Sequence, residues 1–187
     1  MTTPRLKDLG EIEAAIWREL ALAVHDPGHG WRVAVLATTD GQAADARSVV
    51  LREFDPATRT LLIYADSRSP KARQIEAFPG GTLVLWSQAL GWQLRLRVAL
   101  QMRSEGLGVS SRWARLKLTP AAQDYLSPLP PGTMLEAPAP AHVPARESRG
   151  HFAVLAAVIQ RIDWLELDAR GHRRACFGES AGRWLAP

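Results

Sequence analysis

The chain reads as an antiparallel α+β protein, mainly β, most simply a barrel or curled sheet with helices plugging its ends. Three observations carry this. Short β-rich runs outnumber helical ones, turn signals of hairpin length join most of them, and helical patterns fall only at the start and in two insertions. A length of 187 residues, 47% apolar and 22% charged, suits a single domain over 1–187 with a substantial core.

Leu9, Ile12, Ile16, Leu20 and Ala23 recur at spacings of three and four, which predicts an amphipathic helix over 7–24. HDPGHGW interrupts it. RVAVLATT (32–39) reads as a short apolar strand, followed by the turn TDGQ. ARSVVLREFD (46–55) is rich in β-branched residues, DPATR turns, and TLLIYAD (60–66) makes a third strand. A helix over 70–78 ends at Pro79-Gly80-Gly81. TLVLWSQ (82–88) and the alternating WQLRLRVALQMRSE (92–105) follow. Two short helices are predicted at 110–118 and 119–126, the second with Thr119 as N-cap and Pro120 in its first turn. Residues 127–148, rich in proline and alanine, form a long loop or lid within the domain. One or two strands lie in 151–168, ARGHR turns, and RRACFG with RWLAP supplies one or two more.

Composition excludes some functions and leaves others open. No apolar run approaches the roughly 20 residues of a membrane span, and MTTPRLKDLGEIEAA lacks the apolar stretch of a signal peptide, so a soluble cytoplasmic protein is expected. One cysteine, Cys176, leaves no internal disulfide and no cysteine-cluster metal site; no metal is expected. The net charge is +4, from 20 arginines and 3 lysines against 19 acids. These arginines are scattered and interleaved with acids, so a nucleic-acid partner is not expected.

Chemistry concentrates at YADSRSPKARQIEAFP (64–79), where a strand runs straight into a helix. Ser69 before Pro70 is a helix start, the hydroxyl expected to cap free N–H groups. Lys71 falls in the first turn and Arg68 just outside, at the positive end of the helix dipole. Cations there are unfavourable unless an anion offsets them, and a phosphate suits the place. The same corner also reads as a plain capped surface helix with both cations in solvent. In RSVVLR, alternation puts Arg47, Val49 and Leu51 on one face and Ser48, Val50 and Arg52 on the other. In WQLRLRV, Gln93, Arg95 and Arg97 share a face. Such like charges want acids, an anion or a subunit interface, and the same alternation also reads as an ordinary polar face turned to solvent.

RSVVLR, YADSRSPKARQIEAFP, QLRLR and the closing RIDWLEL, GHRRACF and RWLAP resemble, in order and spacing, the FMN-binding split-barrel family of pyridoxine (pyridoxamine) 5′-phosphate oxidase. The resemblance implies a split β-barrel with peripheral helices and a homodimer with FMN at its interface. It implies that Arg47, Ser48, Val49 and Val50 lie along the flavin, Arg47 on its phosphate, with Tyr64 and Ala65 on the next strand. Ser69 and Lys71 match the phosphate corner, where Arg68 takes the place of an arginine that is Pro70 here. Gln93 matches a glutamine that reaches the partner's flavin.

Departures from the family pattern fall mostly on the substrate side, with two at flavin contacts. A lysine ending the first flavin strand is Arg52 here. The substrate-phosphate motif, a tyrosine followed by Arg-Pro and a serine, has no counterpart in LGVSSRWARLKLTP. The closing Arg-x-His falls ambiguously on His172, Arg173 and Arg174, a flavin-contacting arginine falls on Cys176, and an aromatic contact falls on Leu165 beside Trp164. SSRWARL and the proline-rich loop resemble a related branch described only as FMN-binding. The expectation is a flavin-dependent oxidoreductase with a rebuilt substrate site, for which Arg52, His172, Arg173 and Arg174 are candidates and no catalytic residue is named. The alternative is a non-catalytic module binding flavin, the deazaflavin F420 or haem.

Overall fold

The computed structural model describes residues 5–138, 150–178 and 180–187. Helix α1 (Leu9–Ala23) starts where the Asp8 carboxylate accepts a hydrogen bond from the Glu11 N–H at 2.8 Å, and it buries Ile12, Ile16 and Leu20 completely. Strands β1 (Val33–Thr39), β2 (Ala44–Asp55) and β3 (Thr60–Asp66) follow, then helix α2 (Pro70–Ala77). Strands β4 (Gly80–Ser87) and β5 (Trp92–Arg103) form a hairpin whose turn uses Gly91 at φ +66°, the left-handed region glycine adopts most readily. Helix α3 (Leu107–Leu116), a 3-10 helix (Pro120–Tyr125), and strands β6 (Phe152–Glu166), β7 (Arg173–Phe177) and β8 (Arg183–Leu185) complete the chain.

All eight strands join in one antiparallel sheet, ordered β3-β2-β1-β4-β5-β6-β7-β8. A further ladder between β3 and β6, from Thr60–Val158 to Asp66–Phe152, closes β1 to β6 into a six-stranded barrel. The length of β6 makes this possible. Its first half pairs with β3, its last five residues pair with β7, and nearly all of it pairs with β5. Between the halves the β5 ladder slips at Arg97/Val98, leaving Gln160 unopposed. A bulge of this kind bends the strand away from the barrel.

The alternation expected of β5 is realised: Leu94, Leu96 and Val98 lie within the barrel at 1% exposure or less, while Arg95 and Arg97 face out. Leu36, Leu51, Ile63 and Leu85 meet them from the other strands, and α1 packs its buried face on the same core. A second apolar cluster sits outside the barrel. There Phe152 and Val154 of β6, with Tyr64 of β3, are covered by Val109 and Trp113 of α3 and by Tyr125. Glu53 fastens α3 down by accepting from Arg112 Nε at 2.8 Å and Nη2 at 2.7 Å. Glu166 accepts from Arg5 and, through both oxygens, from Arg173, which ties the N-terminal segment to β7.

Local expectations are narrowed in two places and changed in two. The 151–168 region is one 15-residue strand. RRACF and RWL are two separate strands. The segment after α3 is a 3-10 rather than an α-helix. Ser69 and Thr119 stand at N-cap positions without capping: each hydroxyl turns back to a preceding carbonyl, Asp66 O at 2.7 Å and Leu116 O at 2.8 Å. Of the proline-rich loop, residues 139–148 lie outside the described residues. No helix among the described residues is long and apolar enough to cross a membrane.

Candidate functional site

Where β2 and β3 run side by side, their ladder covers only part of their length. It runs from Asp55–Thr60 to Leu51–Ile63 and stops, with a bulge at Leu51/Glu53. Both strands continue. On β2, residues 44–50 pair only with β1; on β3, Tyr64, Ala65 and Asp66 pair only with β6. The barrel wall is therefore split there. One lip carries Arg47, Ser48, Val49 and Val50, and the other Tyr64 and Ala65, the residues that the family resemblance assigned to a flavin. Val49 and Ala65 are buried at 6% and 2% exposure. What such positions offer a ligand is backbone N–H and C=O, which must find partners somewhere.

The β3-to-α2 corner lies at the end of this split. Asp66, 5% exposed, organises it by accepting from the Arg68 backbone N–H at 2.8 Å and from the Arg68 guanidinium at 3.1 and 2.7 Å. That guanidinium also donates to the carbonyls of Ser127 (2.8 Å), Pro128 (3.1 Å) and Leu129 (3.3 Å). Arg68 is thus a clasp holding the segment after the 3-10 helix, and its donors are already engaged. Gly132 lies next to Pro70, so this segment crosses the start of α2. Because Ser69 turns inward, the first-turn N–H groups of α2 have no side-chain cap.

Arg47 and Lys71 complete the corner. The Arg47 guanidinium donates to Thr38 Oγ1 at 2.5 Å, to Gln74 Oε1 at 3.0 Å, to the Leu36 carbonyl at 3.3 Å and to Asp45. Thr38 donates in turn to Gln74 Oε1 at 2.5 Å, and Gln74 Nε2 donates to Asp45 at 3.2 Å. This closed ring fixes the arginine under α2. Lys71 is different: half-buried, it has no hydrogen bond or ion pair among the described residues. Burial, and next the Arg47 charge, hold its amine below the usual lysine value. Thr38, Asp45 and Gln74 were missed by sequence reasoning. Their one signal was Gln74 on the helix that follows the corner, and nothing local linked it to Arg47.

Residues offered for a substrate site do not converge. Arg52 stacks over the Tyr64 ring, 5.6 Å from its centre, close to Tyr125. Burial and the hydrogen bond to Glu53 (2.9 Å) push the Tyr64 hydroxyl up to about 12, so it stays protonated. His172 only accepts from the Asp168 N–H in a surface turn. Arg173 lies over Trp164 and Trp184 and grips Glu166, a structural post. Arg174 alone reaches the outer wall, where it donates to Asp163 at 3.0 and 2.8 Å. Gln93, opposite Trp86 and Leu165, also lies on that wall, on a strand separated from β2 by two others in the sheet.

Residues 14–103 match the family described as pyridoxamine 5′-phosphate oxidase, FMN-binding domain. No curated protein matches the chain. Among solved structures, a pyridoxamine 5′-phosphate oxidase-related, FMN binding protein from Nostoc punctiforme is 21% identical at a TM-score of 0.71, over 97% of this chain and 100% of that one. PhzG from Burkholderia lata 383, solved with tetrahydrophenazine-1-carboxylic acid, is 16% identical at 0.72, over 94% and 92%. General Stress Protein 26 from Bacillus anthracis is 12% identical at 0.54, over 80% and 92%. These likenesses share the barrel, and with the family match they give one conclusion: residues 14–103 belong to the pyridoxamine 5′-phosphate oxidase FMN-binding domain family, within a chain folded as a split barrel.

Proposed function

We propose that this protein binds FMN in the split between β2 and β3, does so as a homodimer, and acts as a flavin-dependent oxidoreductase with a substrate site unlike that of the pyridoxamine 5′-phosphate oxidases. Lys71 carries the reading. It is a half-buried amine with no hydrogen bond or ion pair among the described residues, repelled by a fixed arginine more than Asp66 attracts it, beside helix N–H groups that no side chain caps. Two cations held from water next to one another are stabilised by a bound anion, and a terminal phosphate answers both with charge-assisted hydrogen bonds. Asp45 shares the Arg47 guanidinium but is half exposed, so it can swing aside.

The backbone edges of Arg47–Val50 and Tyr64–Asp66 are suited to the polar rim of a flat ring lying between them. The segment clasped by Arg68 passes beside the start of α2. When bound, FMN supplies hydride or electron transfer, and the protein binds, orients and shields it. The departures at Arg52 and at GHRRACF, together with the dispersal of Arg52, His172 and Arg173, favour a substrate other than pyridoxamine phosphate. A single free cysteine suits a reducing, cytoplasmic compartment.

The homodimer rests on the outer wall. Val33, Val35 and Trp86 are 52%, 42% and 43% exposed there, on neighbouring strands, and Trp86 faces Gln93 across the ladder. A second copy covering this patch brings Gln93 toward the partner's split. Trp86→Asp is expected to give a monomer by light scattering and to lose FMN together with the dimer. A wild-type protein that is monomeric at micromolar concentration contradicts the interface.

The test of cofactor and reaction is the visible absorption spectrum before and after FMN addition and desalting, then anaerobic NAD(P)H. A retained, shifted flavin spectrum that bleaches supports the oxidoreductase. A retained flavin that no donor or substrate bleaches favours the non-catalytic module, and a colourless protein overturns both. The binding has a defined pH dependence. Since the folded amine of Lys71 titrates below its usual value, the cation is present at neutral pH and lost as pH rises, earlier than for a free lysine. FMN affinity therefore falls on the alkaline side, and Lys71→Arg flattens that fall. Equal alkaline slopes in both proteins would remove Lys71 from the site.

A further inference from the structure

The outer wall holds a second concentration of charge, on strands β5 to β7, whereas the Arg47–Lys71 corner is built on β2, β1 and α2. A pocket of about 360 Å³ there is lined by Arg95 and Arg97 of β5, Arg161 and Asp163 of β6, and Arg174 of β7, with Thr82 of β4 at its side. Four guanidiniums face one carboxylate. Asp163 serves two of them, accepting from Arg95 at 2.5 Å and from both ends of the Arg174 fork. Burial alone pushes the Asp163 carboxyl up, but the hydrogen bonds from Arg174 and Arg95 outweigh it and hold it below the usual range, so it is ionised at neutral pH.

Arg97 and Arg161 are left over. They are direct cross-strand partners, both exposed, with no acid or hydrogen-bond partner among the described residues. Like charges directly opposite on antiparallel strands repel, and the β6 bulge at Gln160 fixes them in that register. A strand face meant only for solvent gains nothing from this pairing. Two planar forks side by side, flanked by two more that a single aspartate holds in place, are instead the donor set for a group carrying two or more negative charges.

We propose that this pocket is an anion site distinct from the flavin corner, and that it takes a small molecule bearing a phosphate or diphosphate group. Arg97 and Arg161 grip the anion. Asp163 is a positioning residue that keeps Arg95 and Arg174 turned to the pocket. Its volume falls in the range of small-ligand sites, and its basic residues form a cluster rather than the stripe a nucleic-acid backbone needs. The proposal stands whether or not the protein binds FMN.

The experiment is titration calorimetry of the full-length protein with inorganic pyrophosphate, inorganic phosphate and a nucleoside diphosphate, at low salt and again at physiological salt. Saturable pyrophosphate binding is expected, weakened by salt, and weakened about 10-fold or more in Arg97→Ser/Arg161→Ser. The double variant keeps the wild-type FMN affinity, while Lys71→Ala keeps pyrophosphate binding. In anion-free buffer the double variant melts at or above the wild-type temperature, because a repulsive pair is gone. A nucleoside diphosphate no tighter than pyrophosphate assigns the site to the anionic group alone; a tighter one assigns it to a nucleotide. Pyrophosphate affinity unchanged in the double variant, or no saturable binding to wild type, overturns the proposal. A double variant that changes oligomeric state while wild type binds no pyrophosphate assigns the arginines to a subunit contact, and also overturns it.

Discussion

Lys71→Ala is expected to weaken FMN binding by about 10- to 100-fold and to leave the thermal midpoint of the FMN-free protein unchanged or higher. The two halves have one origin. A hydrogen bond between charged groups contributes about 1.5–3 kcal/mol, which converts to that range of affinity. Without its anion, the same amine is half-buried, without a hydrogen bond or ion pair among the described residues, and burial and Arg47 together outweigh the pull of Asp66, so removing it relieves the fold. Arg47→Ala separates the two effects: it weakens FMN similarly but also strands Gln74, Thr38 and Asp45, and the midpoint falls. Flavin fluorescence quenching gives the affinities and a thermal melt the midpoints. Unchanged FMN affinity in Lys71→Ala would mean that the corner is an ordinary surface helix start.

Phe152→Ala carries the largest expected cost in stability, about 3–5 kcal/mol. Its ring is 1% exposed and lies among Tyr64, Trp113 and Tyr125, with ring centres 5.1, 5.4 and 5.3 Å away. These ring contacts join β6 to β3, α3 and the 3-10 helix. A cavity there cannot collapse easily, because the barrel wall behind it is a closed ladder. Urea denaturation followed by tryptophan fluorescence reads the change, and Phe152→Leu should recover part of it. A loss below about 1 kcal/mol would show that α3 and the 3-10 helix add little to the fold.

The strands were legible because alternation is a local signal. WQLRLRV announces a buried Leu94–Leu96–Val98 face and an exposed arginine face, and β5 folds that way. The corner was legible for a related reason. Pro70 can stand only in a first turn, so the helix start and the misplaced charge of Lys71 are written in adjacent residues. Side-chain destinations were less legible even within the same stretch. Ser69 reads as a cap, yet its hydroxyl meets the Asp66 carbonyl three residues back. Arg68 reads as a phosphate ligand, yet its carbonyl partners lie about sixty residues further along the chain.

By itself, then, the sequence determined the antiparallel strands, their inward faces, the capped-looking corner with its two cations and the family resemblance, since each is set by neighbours within a few residues. The tertiary structure alone decided that β6 closes the barrel on β3 and that the β2–β3 ladder stops at Leu51 to leave a split. It alone decided that Gln74 orients Arg47 while Lys71 has no hydrogen bond or ion pair among the described residues, and that Arg97 meets Arg161 beside a bulge. These depend on pairings between segments far apart in the chain. Their register is selected by burying one continuous core, and no local pattern encodes it.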